Sequence, residues 1–254
     1  MSNEKKLNIG IIGTGHIGKT LVRKLAQVGH MVQMANSRGP ETLKELAAET
    51  GAKALAANEA IQGVEVVILS IPLHTLPQMK ELLAGLPDEV TVIDTSNYYP
   101  MRDNKIDAVE AGQIESVWVA EQLGRPVVKV WNSIVSQSFE DKGKPAGSPD
   151  RIALPVAADR EADRQVGIAL VEDTGFDALD AGTIAESWRM QPGSPVYCTD
   201  LTIEELPAAL ASAERERLPK RRELGWDAFQ ERAGDDLMNL DPEYVLRLHR
   251  ALFM

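Results

Sequence analysis

The residues best suited to chemistry lie near the start of the chain. Gly13-Thr14-Gly15-His16-Ile17-Gly18 follows an apolar run at 7–12 and opens an amphipathic one at 17–28. Between a strand and a helix, three glycines at this spacing have separate tasks. Gly13 permits the tight turn, Gly15 lets a pyrophosphate approach the backbone, and Gly18 lets the helix lie close to the sheet. The helix amino terminus adds unpaired N–H groups and a partial positive charge. The segment Gly13 to Gly18, Thr14 and Ile17 included, therefore reads as a dinucleotide turn. A strand-to-helix turn that needs glycines only for its shape is the alternative. His16, inside the turn, is placed to cover a phosphate or ribose rather than to react.

The end of the second β-rich run says which dinucleotide is expected. A site that prefers NAD carries an acid there to hold the ribose hydroxyls. This chain has Ala35-Asn36-Ser37-Arg38 and no acid before Glu41. Arg38 can grip a 2′-phosphate through a charge-assisted fork, with Ser37 and Asn36 as further donors and Lys44 as a second charge. The pattern points to NADP(H). A third segment, Ser70-Ile71-Pro72-Leu73-His74-Thr75, ends another apolar run and should border the ribose and nicotinamide, since ligands in open α/β sheets sit beyond the carboxyl ends of strands. His74 is the candidate proton donor, with a loop or helix-capping role as its alternative. Asn97 and Asn132 follow two more such runs and suit a pocket rim. Trp188 to Pro195 is a rigid aromatic loop able to close over a flat ring. His30 and His249 read as structural.

The elements that must position these residues alternate in type. Strands are expected at 7–12, 31–35, 64–70, 90–94, 117–121 and 127–131, with helices at 17–28, 40–50 and 76–83 between them. That alternation predicts an α/β fold, a Rossmann-like doubly wound parallel sheet with a smaller, mostly helical C-terminal portion. Residues 140–150 are polar and rich in Gly and Pro, as a linker is. Another strand–helix–strand unit follows at 152–157, 161–173 and 176–180. Helices are then expected at 202–212, 214–223 and 241–252. We divide the chain into an NADP-binding domain at 1–145 and a portion at 146–254 that shapes an acceptor pocket. The alternative is that 152–180 extends the first sheet.

Composition excludes other classes. The 254 residues carry 27 Lys plus Arg against 38 Asp plus Glu, a net charge of -11. Phosphate recognition draws its affinity from cations, so neither nucleic acid nor an anionic membrane is an expected partner. A single cysteine, Cys198, rules out a disulfide framework, and no metal-ligand cluster is evident. No apolar run approaches the roughly 20 residues that span a bilayer. The opening MSNEKKLNIG has no apolar signal core, so a cytoplasmic location is expected.

Taken in order, GIIGTGHIGKTLVRKLAQVGH, ANSRGPETL, VVILSIPLHTLP, DTSNYY, VVKVWNSI and DTGFDALDAG resemble the F-420-dependent NADP oxidoreductase family. The resemblance implies that Gly13 to Gly18 hold the pyrophosphate, Ser37 and Arg38 the 2′-phosphate, and Ile71 and Pro72 the ribose and nicotinamide. It also implies hydride exchange between NADP(H) and a deazaflavin, flavin or small organic acceptor stacked on the nicotinamide, with little need of an acid–base residue. WRMQPGSPVYCTDLT, beginning at Trp188, does not map onto a deazaflavin site. The favoured reading is an NADPH-dependent oxidoreductase, possible as a homodimer. The alternatives are a non-catalytic NADP(H)-binding redox sensor and an imine reductase of the pyrroline-carboxylate reductase type.

Overall fold

The computed structural model describes residues 5–234 and 240–254. The elements run β1 (Asn8–Ile12), α1 (His16–Gln27), β2 (Met31–Ala35), α2 (Lys44–Thr50), β3 (Lys53–Ala54), α3 (Ala57–Ala60), β4 (Val66–Leu69), α4 (Lys80–Leu83), β5 (Thr91–Asp94), α5 (Pro100–Asp103), α6 (Asp107–Glu110), α7 (Glu115–Leu123) and β6 (Val128–Lys129). They continue with α8 (Ser136–Asp141), β7 (Ala153–Ala158), α9 (Glu161–Asp173), β8 (Asp177–Asp180), α10 (Leu206–Ala211), α11 (Leu218–Ala233) and α12 (Pro242–Phe253).

The strands form one sheet in the order β3-β2-β1-β4-β5-β6-β7-β8. Pairing is parallel except between β6 and β7. The sheet therefore runs on across residue 145, and the second strand–helix–strand unit adds to its far edge. Helices cover both faces. Ile9, Ile11, Val66 and Ile68 point into one apolar layer with Leu21 and Leu25 of α1 and Leu170 of α9. Val67, Leu69 and Val92 point into the other, with Trp118, Val119 and Leu123 of α7. Every residue of β4 is buried, which explains why its sequence is continuously apolar and not alternating.

One expected strand is a helix. Residues 117–121 lie within α7, whose buried Glu115, Ser116, Trp118, Val119 and Leu123 follow helical spacing. Val117, Trp118 and Val119 favour strands by type. The helical face and Gly124, whose φ of 69° caps the helix, override that preference. The expected helix at 76–83 is reached through a 3-10 turn at Leu73–Met79. Among the described residues, no helix is long and apolar enough to cross a membrane.

Candidate functional site

The strand order changes direction between β1 and β4, and a cleft of about 420 Å³ opens at their carboxyl ends. Its walls bring together Gly13, Thr14 and Gly15 after β1, Asn36, Ser37 and Arg38 after β2, and Ser70, Ile71 and Pro72 after β4. Thr75, Gln78 and Met79 of the following turn complete it. A crevice at this reversal is where open α/β sheets bind ligands.

The glycines differ in what holds them. Gly13 has φ of 100°, and a side chain there would strike the Ser70 carbonyl. A Cβ on Gly18 would strike the Gly13 carbonyl, so helix and turn meet in van der Waals contact. A Cβ on Gly15 would meet nothing within 4 Å. No packing within the protein requires a glycine at that position, and the space above it suits a group from outside. The first turn of α1 carries no acidic residue, which leaves its amino-terminal dipole uncompensated. His16 is exposed and Ile17 half-buried; neither they nor Gly18 line the cleft.

At the other end, Asn36 engages its side chain within the protein. Its Nδ2 donates to Thr14 Oγ1 at 3.2 Å and Thr42 Oγ1 at 3.0 Å, and its Oδ1 accepts the Arg38 N–H at 2.9 Å. Asn36 thus couples the glycine turn to the Ser37–Arg38 loop, whose side chains are exposed on the cleft rim. Lys44 pairs with Glu41 and stays outside the cleft.

His74 also lies outside the cleft lining. Its Nδ1 is 2.8 Å from Asp103 Oδ1, across to α5. Asp103 is fully buried at its side chain and also accepts from Arg102 and from the Tyr99 N–H. Burial acts to raise its pKa, yet the hydrogen bonds from Arg102, His74 and Tyr99 outweigh it and hold the carboxyl below its ordinary range. Asn97 and Asn132, expected at a pocket rim, do not line the cleft; they bond to each other, Nδ2 of Asn97 to the Asn132 carbonyl at 2.8 Å and Nδ2 of Asn132 to Asn97 Oδ1 at 3.1 Å. Asn132 also donates to the Met190 carbonyl at 2.8 Å. The loop from Trp188 is thereby fastened to the ends of β5 and β6, and Gln191 Oε1 accepts the Glu115 N–H at 3.2 Å.

Behind this wall lie charges that the sequence reading passed over. Lys129 and Asp94 form an ion pair at 2.8 Å with side chains 1% and 0% exposed. Lys129 also donates to the Ser96 carbonyl, and Asp94 Oδ1 accepts the Ser96 N–H at 2.9 Å. Glu115 is buried nearby, and burial pushes it up to about 7 against the pull of Lys129 and the Tyr98 N–H. The Cys198 thiol is pushed up by burial, which removes it as a nucleophile. Burial lowers His249 to about 4, so it is neutral at pH 7.

Residues 8–98 match the family model described as NADP oxidoreductase coenzyme F420-dependent. The match covers the amino-terminal segment, which carries the glycine turn, the Ser37–Arg38 loop and the Ile71–Pro72 loop. The Escherichia coli (strain K12) protein YjhV is 47% identical over 79 residues, a match covering 30% of this chain and 58% of YjhV. The chain thus spans little more than half the length of that relative. Hypothetical protein SMa0349 from Sinorhizobium meliloti superposes with a TM-score of 0.65 at 25% identity, over 79% of this chain and 97% of that one. A proposed F420-dependent NADP-reductase from Arthrobacter sp. FB24 gives 0.55 at 21% identity, over 71% and 87% of the two chains. The likeness to these structures is one of fold, a Rossmann-like and mostly parallel sheet.

Proposed function

We propose that this protein is an NADPH-dependent oxidoreductase that exchanges a hydride between NADP(H) and a deazaflavin, a flavin or a small organic acceptor. The observation that carries the reading is a single cleft uniting the glycine turn, the acid-free Ser37–Arg38 loop and the Ile71–Pro72 loop. The residues fit the cofactor. The space over Gly15 and the amino end of α1 receive the pyrophosphate, Ser37 and Arg38 the 2′-phosphate, and Ile71 and Pro72 the ribose and nicotinamide. NADP(H) supplies or takes up the hydride when bound. Asn97 and Asn132 shape the acceptor side through their mutual hydrogen bonds.

Among the residues lining the cleft, Arg38 is the only ionisable one. That favours ring-to-ring transfer, in which placement and dryness matter more than a proton donor. It also supports a second reading, a redox sensor that binds NADP(H) without turnover. The test is anaerobic NADPH oxidation by the purified protein against a deazaflavin, FMN, FAD and a panel of small carbonyls and imines. Steady turnover with one acceptor supports the enzyme and names its partner. Tight NADPH binding with no turnover supports the sensor.

A further inference from the structure

We propose that Asp103 is a positioning residue for the hydride-transfer site, and that His74 serves as a fixed donor to Asp103 and not as the proton donor. The inference rests on reading the cleft as an NADPH site. Asp103 sits in a short helical turn whose neighbours Met101, Arg102 and Asn104 are exposed, while its own carboxylate is buried. Every donor near it converges: His74 Nδ1 at 2.8 Å, Arg102 Nη2 at 2.7 Å and Nε at 3.2 Å, and the Tyr99 N–H at 2.9 Å. A carboxylate only accepts, so the His74 proton facing it is on Nδ1 and the ring is held in one orientation.

The convergence joins two segments. On one side is the Ser70–Thr75 loop, which meets the cleft at Ile71, Pro72 and Thr75. On the other is the segment from Asn97 to Tyr99, outside the cleft lining: Arg102 also reaches the Asn97 carbonyl, and Asn97 holds Asn132. The first borders the proposed nicotinamide position, and the second carries Asn97, with Asn132 the proposed acceptor side. Asp103 therefore sets the spacing between the two reactants, and hydride transfer is sensitive to such spacing. His74 itself is absent from the cleft lining, whereas Thr75, Gln78 and Met79 are part of it.

Two substitutions separate the roles. Asparagine in His74→Asn places an amide N–H near the position of Nδ1 but has no group that titrates near neutrality. Leucine in His74→Leu removes the donor altogether. With the acceptor that the wild type turns over, His74→Leu should lower kcat about 10- to 100-fold, the scale of a misplacement near 1 Å. NADPH affinity should hold, because the glycine turn and Arg38 lie outside this network. His74→Asn should keep most of kcat and the wild-type pH profile. Equal loss in both variants, with one limb of the pH profile gone, would overturn the proposal and make His74 the acid.

Asp103→Asn should reproduce the His74→Leu effect, and the double variant should be no worse than either single one. His74→Asn keeps a donor to Asp103 at a side chain that is 39% exposed, so it should hold the wild-type melting temperature even if Asp103→Asn does not. A readout without turnover uses the emission of bound NADPH. It should be altered in His74→Leu and unchanged in His74→Asn; identical emission in all three proteins overturns the positioning role. Wild-type protein that binds NADPH but reduces nothing counts against the enzyme reading alone, and the emission series still decides this one.

Discussion

Lys129 offers a perturbation whose size follows from the structure. It faces Asp94 across the β5–β6 pairing, where the two residues are register partners, and both side chains are fully buried. Substituting Lys129→Met keeps the volume and removes the charge. Asp94 then keeps only the Ser96 N–H as a donor and sits as an uncompensated carboxylate in the sheet. Breaking a buried pair in this way costs about 3–5 kcal/mol. For a domain near this size, that lowers the melting temperature by roughly 6–20 °C. Replacing both residues, Asp94→Leu with Lys129→Met, should recover most of the stability, since an apolar pair of similar volume is often as stable as a buried ion pair. Urea unfolding of the two single variants and the double variant at pH 7 measures all of this. A loss below about 1 kcal/mol in Lys129→Met, the range of exposed pairs, would refute the reasoning. So would a double variant as unstable as the sum of the singles.

The glycines give a paired prediction. Gly18→Ala drives a methyl into the Gly13 carbonyl and should lower both stability, by about 1–3 kcal/mol, and NADPH binding. Gly15→Ala meets nothing in the protein, so it should keep the wild-type melting temperature and lose NADPH affinity; unchanged affinity would remove the pyrophosphate from that position. Glu115 predicts a pH dependence. Its folded pKa, about 7, lies above its ordinary 4.5, so its contribution to stability is complete below pH 4.5 and is lost as pH rises through 7. The gap corresponds to about 3 kcal/mol at most. Glu115→Gln cannot ionise, and its unfolding free energy should fall less than the wild type's between pH 5 and pH 8. Parallel curves would contradict the shift.

The cleft was legible because its parts are local in sequence. The glycine turn, the acid-free Asn36-Ser37-Arg38 segment and Ile71-Pro72 are each set by a few consecutive residues at a strand end, and the fold brings strand ends together. The network around Asp103 was not legible, because its partner His74 is 29 residues away and Met101-Arg102-Asp103-Asn104 reads as an exposed charged turn. Lys129 and Asp94 were hidden for the same reason, being 35 residues apart and paired only once β5 and β6 lie side by side. Lys44 was expected to carry a second charge to the phosphate. Its placement was decided by Glu41 one turn earlier, a local pairing that helical spacing permits. Residues 117–121 show the converse error, where β-favouring side chains occupy a helix fixed by burial and by Gly124.

The proposed function rests on Arg38 holding the 2′-phosphate of NADP(H) in this cleft. The direct measurement is the affinity for NADPH and for NADH, in the wild type and in Arg38→Ala. A charge-assisted contact contributes about 1.5–3 kcal/mol, or about 10- to 150-fold in affinity. Wild type should prefer NADPH by a factor in this range, and Arg38→Ala should lose the preference with NADH binding little changed. Equal weakening of both coenzymes, or a wild type that prefers NADH, would contradict it.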